Sequence, residues 1–102
     1  MVYVIATLQL QPGTRDAFLA EFARVVPLVR AEDGCLAYVP TVDAHTAMRS
    51  QSLAGDNCVT VVEQWASVAA LKAHDQAEHM RAFRARIKGM VVENSIRMLE
   101  PA

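Results

Sequence analysis

From Val2 to Leu10 every even position is aliphatic (Val2, Val4, Ala6, Leu8, Leu10), while Tyr3, Ile5, Thr7 and Gln9 take the odd ones. A period of two is the period of a β-strand, whose side chains alternate between faces, so the chain must build a sheet and bury one side of it. The next segment supplies a cover. "QPGT" breaks the alternation, Thr14 is placed to cap a helix, and Phe18, Phe22, Val25, Val26 and Val29 recur at helical spacing to form one apolar stripe. Pro27 falls inside this stripe and is expected to kink or loosen the last turns, and "EDG" at Glu32 to Gly34 ends the helix.

Cys35 to Val42 reads as a second strand. Asp43 to Asn57 has no periodicity and closes on the turn signal of Gly55, Asp56 and Asn57. Cys58 to Trp65 is a β-branched third strand, and Ser67 can cap a short helix reaching about His74. Asp75 with Glu78 three residues on resembles a capping box, which predicts that a second helix restarts there with Met80, Phe83 and Ile87 turned inward. Gly89 stops it, and Val91 to Leu99 forms a fourth strand before Pro101.

The order β-α-β-β-α-α-β predicts the α+β class, as a ferredoxin-like antiparallel sheet with its helices on one face. Helices on one side leave the other side to be explained. Val92, Ile96 and Met98 oppose Val91 and Leu99 on the last strand, and Val59, Val61 and Trp65 oppose Val62 on the third, so both faces carry large apolar groups. A half-solvated sheet would alternate more cleanly. The uncovered face therefore predicts a partner, and a second copy of the chain is the simplest one, giving a homodimer.

The 102 residues suit one domain spanning 1–102. Ten Lys plus Arg against eleven Asp plus Glu leave no basic surplus, which argues against a nucleic-acid partner. "MVYVIATLQLQPG" lacks the charged start of a signal peptide, and no apolar run approaches the roughly 18 residues of a membrane span. Cys35 and Cys58 stand apart from any CxxC or zinc-type spacing and read as reduced thiols, which suggests a cytoplasmic location.

One short span gathers the chemistry. "VEQWASVAALKAHDQAEHMRAF" holds the only Trp and two of the three His. Glu63 and Trp65 share a face of their strand. His74 and His79 are five apart, about 140° on a continuous helix, unlike the i, i+4 pair of zinc-binding helices, so no metal site is predicted. If the helix restarts at Asp75 the two imidazoles can still converge, and the expectation is that Glu63, Trp65, His74 and His79 face one cavity. The plainer alternative makes Glu63 a charge neutralised by Arg97, Trp65 a core filler and each His a surface residue. Tyr38, Asn94 and Arg97 are further pocket candidates. Gly13, Gly34, Gly55 and Gly89 are too scattered for a phosphate loop, and there is no GxSxG, so neither a nucleotide cradle nor a nucleophile is visible.

"IATLQLQPGTRDAFLAEF", "EDGCLAYVP", the E-x-W and L-x-x-H-x-x-x-x-H of Glu63, Trp65, Leu71, His74 and His79, and the terminal "NSIRMLEP" together resemble the antibiotic-biosynthesis monooxygenase superfamily, closest to its bacterial quinol monooxygenase branch. The resemblance implies a dimeric α+β barrel with a pocket between sheet and helices, and oxidation of a small quinol or polyphenol by O₂ without flavin, haem or metal. It implies His74 or His79 as the base, Glu63 as the group orienting an imidazole or a substrate hydroxyl, and Trp65 as an aromatic wall. The Asn and Tyr of polyketide-oxidising members are replaced here by Val61 and Leu71. The Asn, Trp and axial His of haem-degrading relatives are replaced by Ala6, His74 and Arg84. Two other outcomes stay open on the resemblance: an isomerase of a small phosphorylated sugar that uses the same histidines, and a ligand-binding dimer without turnover.

Overall fold

The computed structural model describes residues 1–102. Its strands β1 (Val2–Leu10), β2 (Cys35–Thr41), β3 (Cys58–Trp65) and β4 (Val91–Leu99) form one antiparallel sheet in the order β2-β3-β1-β4. Its helices are α1 (Arg15–Arg30), α2 (Val68–Asp75) and α3 (Glu78–Ile87). The alternation of β1 does what it predicts: Val2, Val4, Ala6, Leu8 and Leu10 are all buried on the inner face. Phe18, Phe22, Val25, Val26 and Val29 of α1 and Met80, Phe83 and Ile87 of α3 close over them. Phe18, Phe22 and Phe83 meet at centroid separations of 5.5–5.9 Å, and Phe22 stacks on Tyr38 at 5.5 Å. Outside the core, Arg86 Nε donates to Glu21 at 2.7 Å and ties α3 to α1.

Two local expectations need correction, those at Thr14 and Asp75. Thr14 precedes α1, but its hydroxyl donates to the Gln11 carbonyl at 2.7 Å and makes no cap bond, so it braces the turn instead. Pro27 lies inside α1, which runs on to Arg30 and stops just before Glu32, as the "EDG" signal predicts. Pro27 and Ala23, whose carbonyl loses a donor, both lie on the exposed side, where solvent has access to that carbonyl. Asp75 caps nothing. It is the last residue of α2, and its carboxylate is taken by Arg84 Nη2 at 2.7 Å. The break falls two residues later, where Ala77 is extended (φ −64°, ψ 142°) and α3 restarts at Glu78. Ser67 does cap α2, accepting from Ala70 N at 3.1 Å.

The helices stop short of one edge. β4 is nearly all exposed, with Ile96 at 53% and Met98 at 63% although both lie on the helix side of the sheet, in register with Ala6 and Val4. On the opposite face Tyr3, Val39, Val62 and Leu99 are exposed among Thr7, Thr41 and Thr60. The uncovered surface thus takes in both sides of β4, more than the single outer face expected. Cys35 and Cys58 are unpaired, and no helix is long and apolar enough to cross a membrane.

Candidate active site

The site grows from a close approach. Gly34, at φ +83°, lets the turn after α1 lie so near α2 that a Cβ there would sit 2.6 Å from the Ala70 Cβ. The Gly34 carbonyl accepts from Ala66 N at 2.8 Å, which fixes this turn against the β3–α2 junction. Glu32, on the same turn, is thereby carried to the far end of α2. Its Oε2 lies 2.9 Å from His74 Nδ1 and 2.8 Å from His79 Nε2. With both imidazoles donating, one carboxylate oxygen ties α1, α2 and α3 together.

His74 is buried, its ring 4.6 Å from the Trp65 indole and 5.4 Å from Tyr38 between centroids. With Nδ1 committed to Glu32 as a donor, the neutral ring carries its lone pair on Nε2. His74 also lines a cavity of about 340 Å³ between the sheet and helices α1, α2 and α3. Its walls are mostly apolar, from Phe18, Phe22, Leu71, Met80, Phe83 and Ile87; its polar groups are few. Glu63 and Tyr38 reach it from the floor, Asn94 from β4, and Lys72, Gln76 and the Asp75–Arg84 pair from the rim.

Trp65 Nε1 donates to Glu63 Oε1 at 2.9 Å. The other Glu63 oxygen and the Tyr38 hydroxyl make no bond within the protein, yet no buried side-chain polar atom lacks a partner, so both are accessible from the cavity. Burial pushes the Glu63 carboxyl above the ordinary carboxylate range, against the opposing pull of the Trp65 N–H and of His74. Burial likewise pushes the Tyr38 phenol up, with the charges of Glu63 and Glu32 adding to it, so it stays protonated and can donate. The floor therefore presents a carboxyl of raised pKa, a phenol and an imidazole lone pair to whatever enters.

Of the residues expected in the pocket, Glu63, His74, Tyr38 and Asn94 line it. Trp65 does not. It is 0% exposed and lies behind His74 and Glu63, supporting both without forming a wall of the cavity. His79 joins the group only through Glu32, and its ring faces outward with the side chain 25% exposed. Arg97 is on the opposite face of the sheet, paired with Ile5 and one alternation out of phase with Asn94 and Ile96, so it neither reaches the cavity nor neutralises Glu63. Glu32 is the residue that sequence reasoning missed. One signal pointed to it: a carboxylate just past the C-terminus of α1 faces the negative end of that helix dipole, an unfavourable place unless cations or donors arrive from elsewhere.

Comparison with known proteins agrees with this architecture. The chain is 45% identical to the Escherichia coli protein named probable quinol monooxygenase YgiN, over 99% of this chain and 98% of that relative. Among solved structures, PA3566 from Pseudomonas aeruginosa superposes with a TM-score of 0.80 at 29% identity, covering 99% of this chain and 93% of that one. Rv0793 from Mycobacterium tuberculosis does so with a TM-score of 0.81 at 25% identity, covering 99% and 94%. The family model described as antibiotic biosynthesis monooxygenase matches residues 1–86, which hold every cavity-floor group and the whole Glu32 cluster, and the chain belongs to that family.

Proposed function

We propose that this protein is a cytoplasmic, homodimeric monooxygenase that oxidises a small quinol or polyphenol with O₂ and needs no cofactor. The observation that carries the proposal is that His74 lines an apolar cavity with its Nδ1 held by Glu32 and no protein partner on its Nε2. The cavity volume of about 340 Å³ is at the small end for ligand pockets and suits one or two fused rings. The name of the Escherichia coli relative supports a quinol as the substrate class.

The chemistry follows from the need to make a closed-shell phenol react with triplet O₂. A phenolate gives up an electron far more readily than a phenol, so removal of one proton is the activating event. His74 Nε2 accepts that proton, and Glu32 stabilises the resulting imidazolium through Nδ1–H. Glu63 and Tyr38 hydrogen-bond the substrate oxygens, and the apolar walls exclude water from the radical pair formed by electron transfer to O₂. The overall change, quinol plus O₂ to hydroxyquinone plus water, balances without an external reductant because the quinol supplies every electron.

The exposed apolar surface supports the dimer in this reading. Val92, Ile96, Met98 and Leu99 are all exposed on β4, and Tyr3, Val39 and Val62 on the outer face. An apolar surface of this extent suits a second copy with an interface above roughly 1,000 Å². The direct test is oxygen uptake and ¹⁸O incorporation from ¹⁸O₂ with a panel of reduced quinones, using chelator-treated protein free of flavin absorbance. Uptake no faster than autoxidation across the panel, or activity that returns only with added metal or flavin, would reject the proposal.

A further inference from the structure

We propose that Glu32, His74 and His79 form a binding site for a divalent cation of the Zn²⁺ class, and that occupation of this site switches off the His74 base. The second half rests on the reading of His74 given above; the first half does not.

The donor set is two imidazoles and one carboxylate, the set that Zn²⁺ takes in three-ligand sites with an open fourth position. Each residue offers one ligand atom, and the three atoms lie within 4.8 Å of one another. Two of the separations are 2.9 and 2.8 Å, both to Glu32 Oε2. A tetrahedral Zn²⁺ with bonds of about 2.0–2.1 Å needs ligand atoms about 3.3 Å apart. The cluster must therefore open slightly at the carboxylate and close between the rings. The three side chains stand at the ends of three different elements, a turn after α1, the last turn of α2 and the first turn of α3, so small rotations suffice. The partly exposed ring of His79 gives ions a way in and leaves the fourth position to water.

The five-residue spacing concealed this. On one helix the two rings would diverge; here the helix breaks at Gln76 and Ala77, and the two rings meet on a residue from the other end of the fold.

Occupation has a specific chemical consequence. A cation needs a lone pair at His74 Nδ1, the atom that now carries a proton toward Glu32. A neutral imidazole keeps one N–H, so coordination at Nδ1 moves that proton to Nε2, the nitrogen facing the cavity. The base then becomes a hydrogen-bond donor and can no longer accept the phenolic proton. The cation acts from behind the cavity and touches no substrate.

Zn²⁺ titration of chelator-treated protein by calorimetry tests the site, with Co²⁺ as a spectroscopic probe whose visible absorption reports tetrahedral coordination. One ion per chain is expected. Glu32→Gln and His79→Ala should each weaken binding at least about 100-fold, since even residues behind a ligand cost 10- to 100-fold. His45→Ala and Cys35→Ser, which remove the remaining His and the thiol nearest in sequence to Glu32, should leave it unchanged. Absence of stoichiometric binding, or binding equally strong in Glu32→Gln and His79→Ala, overturns the site; circular dichroism confirms that each variant is folded, and either variant alone is decisive. Oxygen uptake is then followed with a para-quinol, which has no neighbouring oxygens to chelate the ion. A loss of at least about 100-fold on saturation with Zn²⁺ is expected. Binding that depends on Glu32 and His79 but leaves oxidation intact refutes the switch and the assignment of His74 as base, while the cation site stands. Oxidation without stoichiometric binding refutes the site and leaves the base assignment as it was.

Discussion

Replacing Glu32 with Gln should lower turnover by more than a surface substitution and by less than loss of the base itself. One carboxylate oxygen accepts from His74 Nδ1 at 2.9 Å and from His79 Nε2 at 2.8 Å, and it does so as an anion facing two N–H groups. Glutamine is nearly the same shape but offers one carbonyl oxygen and an NH₂. Its carbonyl oxygen, with two lone pairs, can still accept from both rings but carries no negative charge, and the flipped amide would present N–H to N–H unless a ring changed tautomer. At His74 the change of tautomer puts the proton on Nε2 and removes the acceptor from the cavity. A lost hydrogen bond to a charged group is worth about 1.5–3 kcal/mol. At about 1.36 kcal/mol per tenfold this is a fall in kcat of roughly 10- to 150-fold. In the proposed reaction the quinol would contact Glu63 and Tyr38 and not Glu32, so KM should move little. Oxygen-electrode kinetics over a range of quinol concentrations separates the two constants. The reasoning is refuted if Glu32→Gln stays within about twofold of the parent kcat, or if the whole loss falls on KM.

Three further outcomes are expected. His74→Ala should cost on the order of 10²–10⁴ in kcat, while His79→Ala, whose ring is outside the cavity, should cost less than Glu32→Gln; the reverse order would move the base to His79. Glu63 is held above the ordinary carboxylate range, so the folded state binds a proton that the unfolded state releases first. Its contribution to stability is full below about pH 4 and is lost as pH rises through its folded pKa, so Glu63→Gln should raise the melting temperature at neutral pH and lose that advantage in acid. Leu99→Glu should shift light-scattering mass toward the monomer and reduce solubility, and a parent protein that is monomeric at micromolar concentration would remove the dimer from the proposal.

The alternation of β1 and the apolar spacing of α1 were legible because they are local: each residue's face depends on neighbours a few positions away. The bounds of β1, β3 and β4 follow directly. The site was legible in its residues and not in their arrangement. Glu63 and Trp65 could be placed on one face by strand geometry, yet nothing local says that Trp65 ends up behind the cavity, since that depends on how His74 packs over it. The Asp75–Glu78 spacing suggested a cap because the sequence does not show Arg84 reaching back for the Asp75 carboxylate. Glu32 escaped notice for the same reason, being 42 and 47 residues from its two partners.

The bare edge of the sheet has one more implication. Asn94, Ile96 and Met98 are at once exposed side chains of β4 and part of the cavity lining. Whatever covers that strand also reshapes the chamber, so assembly and substrate affinity share the same atoms. Catalytic efficiency should therefore depend on protein concentration near the association midpoint, and dilution alone should alter the enzyme's preference among quinols of different size.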